Sequence, residues 1–106
     1  MATEKRPDVL HAVCECLDQD RFVDTRHVAE RQDERAITRL EVLYVLRNGH
    51  HEKRKDQWEN FYKAWNYAIR GKTFEKRDLR VVVSFDVNGM LIITAIEVGK
   101  KAGRLN

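Results

Sequence analysis

The feature that most constrains this chain is the stretch from Leu79 to Val98, where two runs rich in β-branched residues are separated by Asn88-Gly89. Asn-Gly is the pair favoured in a two-residue type I′ turn, so the stretch reads as a β-hairpin whose register the turn sets. In that register Val87 faces Met90, Phe85 faces Ile92, Val83 faces Thr94 and Val81 faces Ile96. Arg80 then lies opposite Glu97 as a complementary charge pair. The inward residues would be Val81, Val83, Phe85, Val87, Ile92, Ile96 and Val98. A hairpin alone is marginal in water, so other elements must cover it.

Those elements lie upstream. Val9, Leu10, Val13, Cys14 and Leu17 recur at helical spacing between Pro7 and Asp18, and Pro7 suits a first turn. Asp24 or Thr25 can cap a second, strongly polar helix reaching about Glu34. A third helix starts at the capping box Thr38-Arg39-Leu40-Glu41 and carries Leu40, Leu43, Tyr44 and Leu46 to Asn48-Gly49, a pair suited to a left-handed stop. Phe61 to Arg70 alternates with Phe61, Trp65, Tyr67 and Ile69 on its heavier side, as a strand does. The run from His50 to Asn60 is mostly charged and carries no assignable pattern, and Phe22 marks a short extra strand at most. The expected fold is α+β: N-terminal helices packed on a three- to four-stranded antiparallel sheet.

At 106 residues the chain has the length of one domain. It divides into an acidic helix over 1–20, a core over 21–98 and a flexible tail over 99–106. No run approaches the roughly 18 apolar residues of a membrane span, and the N-terminus lacks the apolar stretch of a signal peptide, so a cytoplasmic location is expected. Cys14 and Cys16 sit about 200° apart around a helix, which prevents a disulfide between them within it. The first 20 residues hold two basic and five acidic groups, a charge of −3. The other 86 hold 18 basic and 12 acidic groups, a charge of +6. A basic body favours an anionic partner, although a mixed-charge solvated surface has the same composition.

His27, Arg31 and Arg35 fall at i, i+4 and i+8 of the second helix and share one face. An imidazole can take a proton from a 2′-hydroxyl when neutral or give one to a leaving oxygen when protonated, and in the first turn the helix dipole favours the neutral ring. Guanidinium groups supply fixed donors for the extra charge on a five-coordinate phosphorus. Glu30, Asp33 and Glu34 share this helix and could pair with the same arginines on a merely solvated surface. Between Trp58 and Arg77, six of the nine aromatic residues alternate with basic ones. Trp58 and Tyr62 are candidates to stack on unpaired bases, and Arg70, Lys72 and Thr94 to position the RNA backbone. Ordinary core packing claims Phe61, Trp65 and Tyr67. His11 with Cys14 and the His50-His51 pair match no metal-ligand spacing, so no metal is expected. No glycine-rich phosphate loop or other nucleotide or cofactor motif occurs, so no cofactor is expected.

The segment Asp24 to Arg31, the step Arg35-Ala36-Ile37-Thr38, the helix ending at Asn48-Gly49 and the hairpin pair Ile93-Thr94 resemble the bacterial family of domain of unknown function 4258 over roughly Phe22 to Val98. In that family a Thr-x-His-Ala-like helix start precedes an Arg and an Arg-Gly-Ile-Ser-like step. Here Val28-Ala29 follows His27, and Ala36 stands in place of the usual Gly. The resemblance implies a relation to RelE- and ParE-like toxins, a group that includes metal-independent RNA endonucleases and whose members often occur beside an antitoxin protein. The expectation is a toxin-type endoribonuclease or RNA-binding protein with His27, Arg31 and Arg35 as catalytic residues. The alternative is a non-catalytic module that holds a protein or nucleic acid by a sheet edge or the basic helix.

Overall fold

The computed structural model describes residues 4–26 and 36–99. Helix α1 (Val9–Asp18) buries Val9, Ala12 and Val13, the spacing that gives a helix one apolar stripe. Strand β1 (Phe22–Asp24) follows. Helix α2 (Arg39–Asn48) opens on the capping box: the Thr38 hydroxyl accepts the Glu41 N–H at 3.1 Å, and the Glu41 carboxylate accepts the Thr38 N–H at 2.9 Å. Then come β2 (His50–His51), a 3₁₀ turn (Lys53–Lys55), β3 (Gln57–Glu59), β4 (Ala64–Lys72), β5 (Asp78–Asp86) and β6 (Gly89–Glu97). No helix among the described residues is long and apolar enough to cross a membrane.

The fold is α+β, but the sheet is larger and less regular than expected. Six strands pair in the order β1-β6-β5-β4-β2, with β3 also on β4. The sheet is mixed, because β1 runs parallel to β6. The helices do not precede the sheet either, since α2 lies between β1 and β2 in the chain. Most of the second expected helix, residues 27–35, lies outside the described residues.

The charged run from His50 to Asn60 hides two short strands. His51 lies opposite Ile69, and Trp58 opposite Trp65, with the 3₁₀ turn between them. Glu52 and Asp56 bridge that interruption. The Glu52 N–H donates to the Ala68 carbonyl at 2.8 Å, and the Ala68 N–H donates to the Asp56 carboxylate at 3.0 Å. Asp56 thus replaces a missing backbone acceptor. Its side chain is fully buried and also accepts from Lys5 Nζ and His51 Nε2, each at 2.8 Å.

The β5–β6 hairpin forms in a different register from the one Asn-Gly suggests. Asp86 lies opposite Gly89, Phe85 opposite Met90 and Val83 opposite Ile92. After a bulge, Val82 lies opposite Thr94, Arg80 opposite Ile96 and Leu79 opposite Glu97. The turn is Val87-Asn88, and neither residue adopts the positive φ that a type I′ turn requires. Asp86 Oδ1 accepts the N–H groups of Asn88 and Gly89 at 2.8 and 3.1 Å, holding this turn closed. Gly89, at φ 137°, belongs to the strand, where any Cβ would strike the Arg21 carbonyl. Docking of β1 therefore overrides the local preference of the turn.

The shift changes which residues are inside. Val81, Val83 and Ile92 are buried as expected and Phe85 is partly so. Val87 is 91% exposed and Ile96 46% exposed. The extra residue at Ile93 turns Thr94 and Ile96 outward and brings Ala95 against the core. On α2 the buried stripe is Val42, Val45 and Leu46, with Leu43 at its margin and Leu40 in solvent. These residues, with Val9 and Val13 of α1, pack against Tyr67, Ile69, Leu79, Val81, Val83, Met90 and Ile92. Both helices thus lie over one face of the sheet. The opposite face presents Asn66, Ala68 and Arg70 of β4, Arg80, Val82 and Ser84 of β5, and Leu91 and Ile93 of β6.

Candidate nucleic-acid interface

His27, Arg31 and Arg35 lie outside the described residues, but the residues flanking them are well held. Thr25 donates its backbone N–H and its hydroxyl to the Ile92 carbonyl, at 3.0 and 2.8 Å. Arg26 grips Asp24 with two parallel bonds of 2.8 Å and donates a third, of 3.3 Å, to the Ile37 carbonyl. Both side chains of this pair are nearly buried. The Arg26 bond holds the Asp24 carboxyl below its usual range despite burial. The chain therefore leaves and rejoins the described fold at one clamp beside β6.

The five expected RNA-contacting residues divide between the two sides of the sheet. Arg70 is committed to carboxylates: Nε and Nη2 meet Asp78 at 2.7 and 2.8 Å, and Nη1 meets Glu52 at 2.9 Å. Arg80 grips the same Glu52 at 2.7 and 3.2 Å. Its bond from Arg80, more than those from Arg70, holds the Glu52 carboxyl down at about 2 against the effect of burial. Asp78 is likewise lowered by Arg70, whose own pKa it raises. Two guanidiniums and two carboxylates thus cross-brace the open face, and the Arg70 fork is spent within the protein.

Lys72 is exposed at the end of β4, opposite Asp78. Thr94 is exposed on the open face opposite Val82. Trp58 packs edge-on against Trp65, with ring centres 5.8 Å apart, which puts it on the helix-covered side. Its indole N–H donates to Asn60 at 3.4 Å. Tyr62, in the β3–β4 turn, is 75% exposed and stands alone among the five in lining a cleft on the open face.

That cleft, of about 750 Å³, has a floor formed by Asn66, Ser84, Leu91 and Ile93 from three adjacent strands. Tyr62, Lys63 and Glu59 contribute a wall, and Thr25 also lines it. Lys63 has φ 56°, the left-handed conformation that folds the turn toward β4. The Ser84 hydroxyl is spent on the Trp65 carbonyl at 3.1 Å. The Asn66 amide makes no hydrogen bond among the described residues. Sequence reading missed Asn66 and Ser84. A signal existed, since each is an uncharged polar residue flanked by apolar or aromatic neighbours, but its meaning depended on how β4, β5 and β6 pair.

Among the described residues no group of three or more His, Cys, Asp and Glu side chains could hold a metal ion. No curated protein and no solved structure matches the chain. The family model described as "Domain of unknown function (DUF4258)" matches residues 25–97, from the Thr25 anchor to the last residue of β6, and the chain belongs to that family.

Proposed function

We propose that this protein binds single-stranded RNA on the open face of its sheet and cleaves it as a metal-independent endoribonuclease of the toxin type. One observation carries the reading. The Arg26–Ile37 clamp sets the ends of the segment bearing His27, Arg31 and Arg35 next to Thr25, which lines a cleft faced by an exposed tyrosine and a lysine. Aromatic rings beside cations suit unpaired nucleotides, because rings stack on bases and cations neutralise phosphates.

In the proposed reaction the 2′-oxygen attacks the adjacent phosphorus while His27 acts as the acid or base. The 2′-hydroxyl gives up its proton, the bond from phosphorus to the 5′-oxygen breaks, and that oxygen takes up a proton. The products are a 2′,3′-cyclic phosphate and a 5′-hydroxyl. Arg31 and Arg35 stabilise the five-coordinate phosphorane by paired hydrogen bonds.

Incubation of end-labelled single-stranded RNA with the protein in the presence of EDTA tests this. Cyclic-phosphate-ended fragments are expected from the native protein, and intact RNA from His27→Ala. Induction in a bacterial host should arrest growth with the native protein and not with the variant. Intact RNA and unimpaired growth with both would remove the catalytic reading. RNA retained without cleavage would instead favour a non-catalytic binding module. One observation speaks for a protein partner such as an antitoxin: Val23, Ile93 and Ile96 leave apolar surface on the open face.

A further inference from the structure

We infer that the 3₁₀ turn Lys53-Arg54-Lys55 anchors the phosphate backbone of single-stranded RNA, at the sheet margin opposite the clamp from which the segment bearing His27, Arg31 and Arg35 departs. The inference rests on the RNA-binding reading above and adds a second point at which the strand is held.

The turn lies between two carboxylates that would ordinarily neutralise it, Glu52 before it and Asp56 after it. Both are spent elsewhere. Glu52 is buried and holds Arg70 and Arg80, which leaves the nearest Arg54 nitrogen 3.9 Å away, at the limit of an ion pair. Asp56 is buried too, and takes Lys5, His51 and the Ala68 N–H. The side chains of Lys53 and Lys55 make no bond among the described residues, and all three residues of the turn are exposed. Three adjacent cations therefore face water without a carboxylate of their own. Charges repeated along one short segment match a ligand whose charges repeat along a chain, and a polyanion gains further by releasing its condensed counterions.

Placement joins this turn to the open face. The Glu52 and Ala68 backbone bonds set it alongside β4, and Ala68 stands two residues from Asn66, about 7 Å along the strand and on the same side of the sheet. Arg54 reaches the open face itself, because the Glu52 carboxylate it approaches lies there with Arg70 and Arg80. Those two guanidiniums are balanced by Glu52 and Asp78, so the excess charge of this margin belongs to the turn. The Arg26–Ile37 clamp sits at the other margin, beside β1 and β6. Four interstrand steps of about 4.8 Å separate the two margins, about 19 Å in all. A strand held at both would lie over Leu91, Ser84 and Asn66, the floor of the cleft.

The test uses the full chain and a fluorescent 2′-O-methyl uridine 12-mer, which lacks the nucleophilic hydroxyl and is not cleaved. Anisotropy titrations at a series of salt concentrations give the slope of log K against log salt. In the double variant Lys53→Ala, Lys55→Ala that slope should be shallower by about 1.4, for two phosphates at about 0.7 each. Arg47→Glu, on the helix-covered side, lowers the net charge by the same two units and should keep the native slope. Thermal melting should show the double variant folded, since neither lysine side chain holds another described residue. An unchanged slope in the double variant, or an equal change in Arg47→Glu, overturns the anchor and leaves RNA binding standing. Failure of the native chain to bind the oligomer overturns both.

Discussion

Gly49 and Gly71 meet backbone to backbone where the end of α2 crosses β4: a Cβ added at Gly71 would stand 3.0 Å from the Gly49 Cα. One added at Gly49 would stand 2.5 Å from the Arg70 carbonyl oxygen and 2.7 Å from that of Val45. Gly49 itself has φ −87° and ψ −166°, an extended conformation open to any residue and not the left-handed stop its sequence suggests. Glycine is required there for closeness, not for backbone freedom. Gly49→Ala should therefore destabilise the protein by about 2 kcal/mol or more, in the range for overpacking against backbone. Thermal denaturation monitored by circular dichroism measures it.

Glu52 serves Arg70 and Arg80 together, and its side chain is only 7% exposed. Glu52→Ala leaves two partly buried guanidiniums facing each other and should cost about 3 kcal/mol. Urea denaturation should show a lower midpoint with an unchanged slope.

The carboxyls of Glu52, Asp78 and Asp24 all titrate below their ordinary values in the folded protein, chiefly through bonds from Arg80, Arg70 and Arg26 respectively. Their folded forms bind fewer protons than the unfolded chain in mild acid, so their stabilisation is complete above the unfolded carboxyl range, about pH 4 to 5. It is lost as the pH falls toward about 2, the folded value of Glu52. The melting temperature should stay level from pH 7 to 5 and drop below that. In Glu52→Gln the drop should be shallower, starting from a lower plateau.

Thr38→Ala removes the hydroxyl that accepts the Glu41 N–H. Helix α2 should lose about 1 kcal/mol. Thr38→Ser should recover most of it, as read by melting.

For the proposed ribonuclease, Arg31→Ala should slow cleavage at saturating RNA by about 100-fold, the usual effect of removing one transition-state donor. Single-turnover cleavage of labelled RNA measures it, and a rate within a few-fold of the native protein would remove Arg31 from the proposed chemistry.

Local chemistry made some elements readable in the sequence, and long-range contacts obscured others. The α2 boundaries follow from the Thr38–Glu41 box and Asn48-Gly49. The two long strands of the hairpin follow from their β-branched runs. The register did not follow, because Gly89 is claimed by the carbonyl of Arg21, the residue just before β1 and 68 positions away in the chain. Strands β2 and β3 left no alternating pattern because backbone pairing with β4, aided by the Asp56 carboxylate, holds them at the sheet margin. On the open face, Arg70 looked available for RNA because the carboxylates that capture it come from Glu52 and Asp78, outside its own strand segment. Composition alone points to Tyr62, while Asn66 stands out only in the assembled sheet.

Helix α1 lies ahead of the stretch shared with the family, which starts at residue 25, yet Val9 and Val13 are as deeply enclosed as any residue of β5. An excised piece covering only 25–97 would lack Val9 and Val13, which belong to the same core cluster as Val42 and Val45. The shared segment, in this chain, borrows its seal from its neighbour upstream.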